Sequence, residues 1–145
     1  MMASIFIQAT GIFVSVAAAF LAALVSMNAG STFFYWGDMS DTAPITVART
    51  VAFATLICAE LFRAFAARSE RISVFKLGIF TNSMMNKAVG VSLALLLAVI
   101  YIPYVNGIFD NVALSPLAWL VILPLALIPF SLSEGHKVLK ARLHK

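Results

Sequence analysis

Four apolar runs of bilayer length limit what this chain can become. They cover residues 5–27, 47–67, 88–105 and 114–132. A helix needs about 20 predominantly apolar residues to cross a ~30 Å hydrocarbon core. Backbone in such a core must satisfy its own hydrogen bonds, so each run is expected to be helical. The first run has no Lys or Arg ahead of it, whereas a signal peptide opens on a basic segment and carries a shorter apolar stretch. The expected fold is an all-α membrane protein with four transmembrane helices, forming a single membrane module over residues 1–145. Composition excludes a soluble alternative. The chain is 62% hydrophobic and 11% charged, against about 45–50% and about 25% in ordinary soluble domains. So much apolar surface needs a second apolar solvent, and membrane lipid is the expected partner.

The net charge of +4 does not point to nucleic acid, because the basic residues gather beside the apolar runs. Arg68, Arg71, Lys76 and Lys87 fall in the connector between the second and third runs, and Lys137, Lys140, Arg142 and Lys145 follow the fourth. The link after the first run carries Asp38 and Asp41 with no Lys or Arg, and the link before the fourth carries only Asp110. The positive-inside rule places the basic connector and tail in the cytoplasm. Four spans then return both termini to the cytoplasmic side. Phe33, Phe34, Tyr35, Trp36, Tyr101, Tyr104 and Trp119 fall at the opposite edge, as aromatic belts do.

Packing faces are also visible. Gly11, Ser15, Ala19 and Ala23 recur every fourth residue in the first run, and Ala48, Ala52, Thr55 and Ala59 form a comparable face in the second. Small residues let helices approach closely. Pro116 is placed to open the fourth helix. Pro124 and Pro129 lie inside it, each removing a backbone donor, and are expected to kink it. Cys58, the single cysteine, has no partner for a disulfide and reads as a small buried hydrophobe.

Glu60 is the feature that apolar packing does not explain. At ~1.5 Å per residue it lies roughly 20 Å down from the outer end of its run, within a ~30 Å core. A charge at mid-membrane costs about 2.5–3.5 kcal/mol on insertion scales. One account is a local pair with Arg63 at i+3, whose long stem reaches the interface. The other is a carboxylate facing a hydrated cavity, binding a cation or a proton. Carboxylate oxygen suits Ca²⁺, but Ca²⁺ takes about 6–8 oxygen ligands, so one carboxylate is not a site. His136 and His144 read as solvated tail residues. Asp38 and Asp41 read as a solvated turn or an outer patch that attracts cations, and "RSERISVFKLGIFTN" as a docking or lipid-facing loop. No catalytic constellation, phosphate-cradling loop or His/Cys metal cluster is visible, so no catalytic residue and no cofactor are expected in this chain.

The segment "ARTVAFATLICAELFRAFAARSERISVFKLGIFTN" carries "ART.AF" entering a helix, "AELF.AF..RSE" leaving it, and then "F..G.F.N". It is followed by "VIYIPYVNGIF", "LSPLAWLVIL" and a basic tail. Together these resemble the C-terminal transmembrane domain, the last four helices, of P-type cation-transporting ATPases of the calcium-pump group. The resemblance is detailed from Ala48 onward and rests on position and length alone before Ala43. It implies that Glu60 lies near the ion-binding region, since a Glu at the matching position supplies a calcium ligand in sarco/endoplasmic-reticulum-type pumps and many relatives carry Gln. It implies a transported cation, Ca²⁺ or another. It also implies a partner, the rest of a P-type ATPase with its transport helices and cytoplasmic domains, in a bacterial inner membrane. The phosphorylation motif Asp-Lys-Thr-Gly-Thr is not in this sequence, so the chain is not expected to hydrolyse ATP alone, whether it is a fragment of a pump or a separate subunit. Two rivals stand beside this reading. One is a stand-alone four-helix accessory or scaffold protein. The other is a small oligomeric proton or cation carrier with Glu60 lining its pathway.

Overall fold

The computed structural model describes residues 2–37, 42–67 and 82–143. Helices dominate: α1 (Met2–Asn28), α2 (Pro44–Ala66), α3 (Ser83–Tyr101), a short α4 (Pro103–Ile108), and α5 (Trp119–Leu143), which a 3-10 turn (Pro116–Ala118) leads into. Among the described residues the nearest thing to a strand is an isolated bridge between Tyr35 and Leu114. Four of the helical stretches are long and apolar enough to cross a membrane.

Each boundary has a local cause. α1 ends at a glycine with φ +81, Gly30. The Gly30 N–H donates to the Met27 carbonyl and the Ser31 N–H to the Ser26 carbonyl, the paired bonds of a Schellman motif. Pro44 starts α2, where its missing N–H costs nothing. Asn82 caps α3 by accepting from the Met85 N–H. α3 stops at Tyr101 because Pro103 forces Ile102 into extended backbone (φ −83, ψ 117). The chain turns there, and Pro103 opens α4, so the apolar run over 88–105 is divided between two helices. Ser115 accepts from the Leu117 N–H to cap the 3-10 turn that Pro116 begins, and α5 runs on without interruption through Pro124 and Pro129.

The core is a three-helix cluster of α1, α2 and α5. The small-residue stripe of α1 faces inward, with Ser15, Ala19 and Ala23 fully buried. A Cβ placed on Gly11 would meet the Pro129 backbone at 3.2 Å and the Leu132 side chain at 3.1 Å, so the glycine is what lets α1 lie against α5. On α2, Ala48, Thr55 and Ala59 are fully buried, while Ala52 is half-buried. Val47, Val51, Ala54 and Cys58 complete its inner face. Buried Ser15, Thr50 and Thr55 return their hydroxyl protons to carbonyls four residues earlier, which removes unpaired donors from an apolar interior. α3 is peripheral. Within its span 11% of residues are buried, against 44% for α2, and Leu96 and Ile100 are its buried residues.

The loops at one end are tied together. The Ser115 N–H donates to the Phe34 carbonyl at 3.1 Å. Tyr101 Oη donates to the Leu114 carbonyl and accepts from Trp119 Nε1. Thr50 Oγ1 accepts from the Val112 N–H. Phe34, placed with the belt aromatics by sequence, is instead buried and meets Phe33 edge-on at 5.1 Å. The bridge at Tyr35 draws this loop over the core, whereas Trp36 and Tyr104 stay exposed.

The opposite end departs from a simple charged tail. α5 continues well past residue 132, and Lys137 is buried rather than solvated. Its Nζ donates to the Ala66 carbonyl at 2.6 Å and to Glu134 Oε1 at 2.8 Å. Gln8 Nε2 of α1 donates to Ser133 Oγ of α5 at this end as well. Asp38, Asp41, the RSERISVFKLGIFT portion of the basic connector and His144 lie outside the described residues.

Candidate functional site: a groove between two helices

α1 and α2 run antiparallel and leave a groove on their outward side. From α1, Ile5, Ala9, Ile12 and Val16 line its inner half, facing Leu56 and Glu60 of α2, and the hollow there measures about 440 Å³. The lining continues in register toward the other end. Phe20 of α1 faces Arg49, Ala52 and Phe53 of α2 around a second hollow of about 380 Å³, overhung by Phe109 and Asn111. Arg49, Phe53, Leu56, Glu60 and Arg63 fall at spacings of four, three, four and three, which is one helix face. The groove is therefore a single stripe of α2 beside a single stripe of α1.

Glu60 and Arg63 meet as their spacing allows. Arg63 Nε donates to Glu60 Oε2 at 2.8 Å and Nη2 lies 2.7 Å from the same oxygen. Their side chains keep 40% and 47% of their exposure, so the pair borders the groove and is not sealed in the core. Both contacts end on Oε2. Among the described residues, Oε1 accepts no hydrogen bond. Arg63 thus offsets the cost of the charge, and the pair stands on the wall of the groove.

The residues present do not build a cation site of their own. No cluster of three or more His, Cys, Asp or Glu side chains exists among the described residues. What this chain can supply is one carboxylate wall, set in an otherwise apolar groove. His136 is half-buried on α5, away from Glu60 in sequence and in helix. Cys58 is buried on the inner face of α2.

Two features escape a reading of the sequence alone. Arg49 Nη1 pairs with Asp110 Oδ2 at 2.9 Å across the outer end of the groove. Nothing local joins residues so far apart in sequence. The Lys137–Glu134 pair has an i,i+3 signature in "SEGHK", but its burial follows only from α5 lying against the end of α2.

Comparison with known proteins agrees with this architecture. Residues 1–139 match the family described as "Cation transporting ATPase, C-terminus", and the chain belongs to that family. It is 41% identical over 91 residues to a calcium-transporting ATPase of Bacillus subtilis, covering 63% of this chain and 10% of the relative. It is 31% identical over 110 residues to calcium-transporting ATPase 1 of Saccharomyces cerevisiae, covering 75% of this chain and 12% of the relative. Against calcium-transporting ATPase 1 of Bacillus cereus it is 31% identical over 129 residues, covering 83% of this chain and 14% of the relative. The chain spans about a tenth of the length of these relatives. With four helices able to span a bilayer, it is an integral, multi-pass membrane protein.

Proposed function

We propose that this chain is the C-terminal membrane module of a calcium-transporting P-type ATPase. It seats the α1/α2 groove against the transport helices and offers Glu60 to the ion region. The observation that carries the proposal is Glu60 itself. It lies within a membrane span about two turns from its inner end, is held by Arg63 through one oxygen, and lines a groove of about 440 Å³. The relatives are calcium-transporting ATPases, which makes Ca²⁺ the cation to test first. Ca²⁺ would be the cargo, with most of its oxygen ligands on the partner, because one carboxylate covers a small part of the about 6–8 ligands it takes. ATP hydrolysis would fall to the partner's cytoplasmic domains, and the assembly would sit in a bacterial plasma membrane.

The chemistry asked of this chain is limited. A carboxylate in a low-dielectric wall attracts a cation more strongly than one in water. The Arg63 guanidinium fixes the carboxylate's orientation. The test is Glu60→Gln in the assembled pump, which keeps the shape and removes the charge. The expected result is apparent Ca²⁺ affinity lowered by about tenfold or more in uptake and ATPase assays, matching about 1.4 kcal/mol or more of lost interaction. Unchanged cation dependence would refute the role of Glu60. Purification of the chain without any ATPase polypeptide would favour a stand-alone accessory protein. Cation flux in liposomes holding this chain alone would favour a small oligomeric carrier.

A further inference from the structure

The buried pair at the inner end of α5 has no part in the groove, and its cost calls for a reason. Lys137 and Glu134 retain 6% and 8% of their side-chain exposure. Burying two charges carries a desolvation penalty that their attraction often fails to recover, and well-packed apolar replacements are frequently as stable or more so. Stability alone is therefore a weak reason for such a pair. The pair lies within α5 and survives any register, but it holds the ammonium where it meets α2, and a wrong register would cost that ammonium its contact with the Ala66 carbonyl.

The partners of Lys137 show which register is at stake. Its ammonium donates to the carbonyl of Ala66, the last residue of α2. That carbonyl is one of the four that end a helix without an intrahelical donor. Ala66 is buried, so water is a poor substitute there. The positive charge also meets the negative end of the α2 dipole. Ala66 is about one turn beyond Arg63 and about two turns beyond Glu60 on the same helix. Elsewhere α2 is held against its neighbours largely by Ala, Val, Thr and Cys side chains, with its polar ties, Thr50 to Val112 and Arg49 to Asp110, at the far end.

We propose that the Glu134–Lys137 pair is a registry lock. It fixes the axial position of α2 against α5, and through it the depth at which Glu60 stands in the membrane. Lys137 and Glu134 are positioning residues in this scheme and touch no cation. The consequence for Glu60 rests on the function proposed above. The register itself does not, and it is measured without any ion or partner.

The test uses the full chain in phosphatidylcholine vesicles. With Cys58→Ala removing the native thiol, Ala64→Cys on α2 and Leu139→Cys on α5 take spin labels at exposed positions, and pulsed dipolar spectroscopy reads the distance between them. The perturbation is the double variant Glu134→Leu/Lys137→Met, which removes both charges of the pair. The expected result is a thermal midpoint within a few degrees of the parent together with a broadened distance distribution. Its mean should move by at least about 1.5 Å, one residue of helix rise. An unchanged distribution would overturn the proposal. So would loss of folding in the double variant, since the pair would then be needed for stability and not for register.

Discussion

At Lys137 a single atom separates a neutral change from a costly one. Lys137→Met leaves the Glu134 carboxylate buried without its ammonium and the Ala66 carbonyl without its donor. Breaking a buried pair from one side costs about 3–5 kcal/mol. Unfolding in mixed micelles is therefore expected to show the single variant well below both the parent and the Glu134→Leu/Lys137→Met double variant. A single variant as stable as the double would show that the Lys137 ammonium is not what holds Glu134 in the interior. Gly11 makes the matching steric case. Its missing Cβ is the space in which Pro129 and Leu132 of α5 lie. Gly11→Leu is expected to cost about 1–3 kcal/mol by overpacking, read in the same assay, whereas a leucine at Gly90 of α3, where nothing lies within 4 Å, is expected to cost far less. The small-residue stripe was legible in the sequence because spacing alone puts those positions on one face. The Lys137 contact was not, because a Lys beyond an apolar run reads as a solvated end until the neighbouring helix is in place.

Among the elements, the junction between α3 and α5 carries more order than its irregular sequence suggests. The apolar run over 88–105 reads through Pro103 as one span, and its division into α3 and α4 follows from Ile102 being forced into extended backbone. α4 then closes with Asp110 at φ 54, while the Asn111 N–H returns to the Asn106 carbonyl. This is the same closing bond that Gly30 permits after α1. A left-handed backbone costs an ordinary L-residue about 1–2 kcal/mol, and Asp less than most. The carboxylate has a second use here, reaching Arg49 of α2. That pair keeps 54% and 71% of its side-chain exposure, and pairs so exposed contribute about 0–1 kcal/mol. Asp110→Gly is thus expected to be close to neutral, because backbone relief offsets the lost pair. Asp110→Val, which loses the pair and is strained at positive φ, is expected to cost about 1–2 kcal/mol. Thermal unfolding of the two variants side by side checks this, and equal midpoints would show that the backbone at Asp110 carries no strain.

Over the whole molecule, the structure settles which ends of the helices lie together, and the charge pattern is what orients them. Gln8, Ala66, Ser133 and Lys137 meet at one end, and Tyr35, Thr50, Asp110 and Leu114 at the other. The basic connector follows Ala66 in sequence, so the end that gathers Lys137 is the end the positive-inside rule assigns to the cytoplasm. The two arguments are independent, one from contacts and one from sequence bias, and they agree on grouping both termini together. Trp36 and Tyr104, both exposed, belong to the other end. In a Cys58→Ala background, a membrane-impermeant maleimide applied to intact cells is expected to modify Gly107→Cys at once and Ser83→Cys only after lysis. Both positions are exposed, so a difference in rate reports sidedness and not burial. The reverse order of labelling would invert the module. Glu60, about two turns from the inner end of α2, would then stand near the outer leaflet. The approach to its carboxylate would be from the opposite side of the membrane, and Arg63 would place its charge at the surface that basic residues avoid.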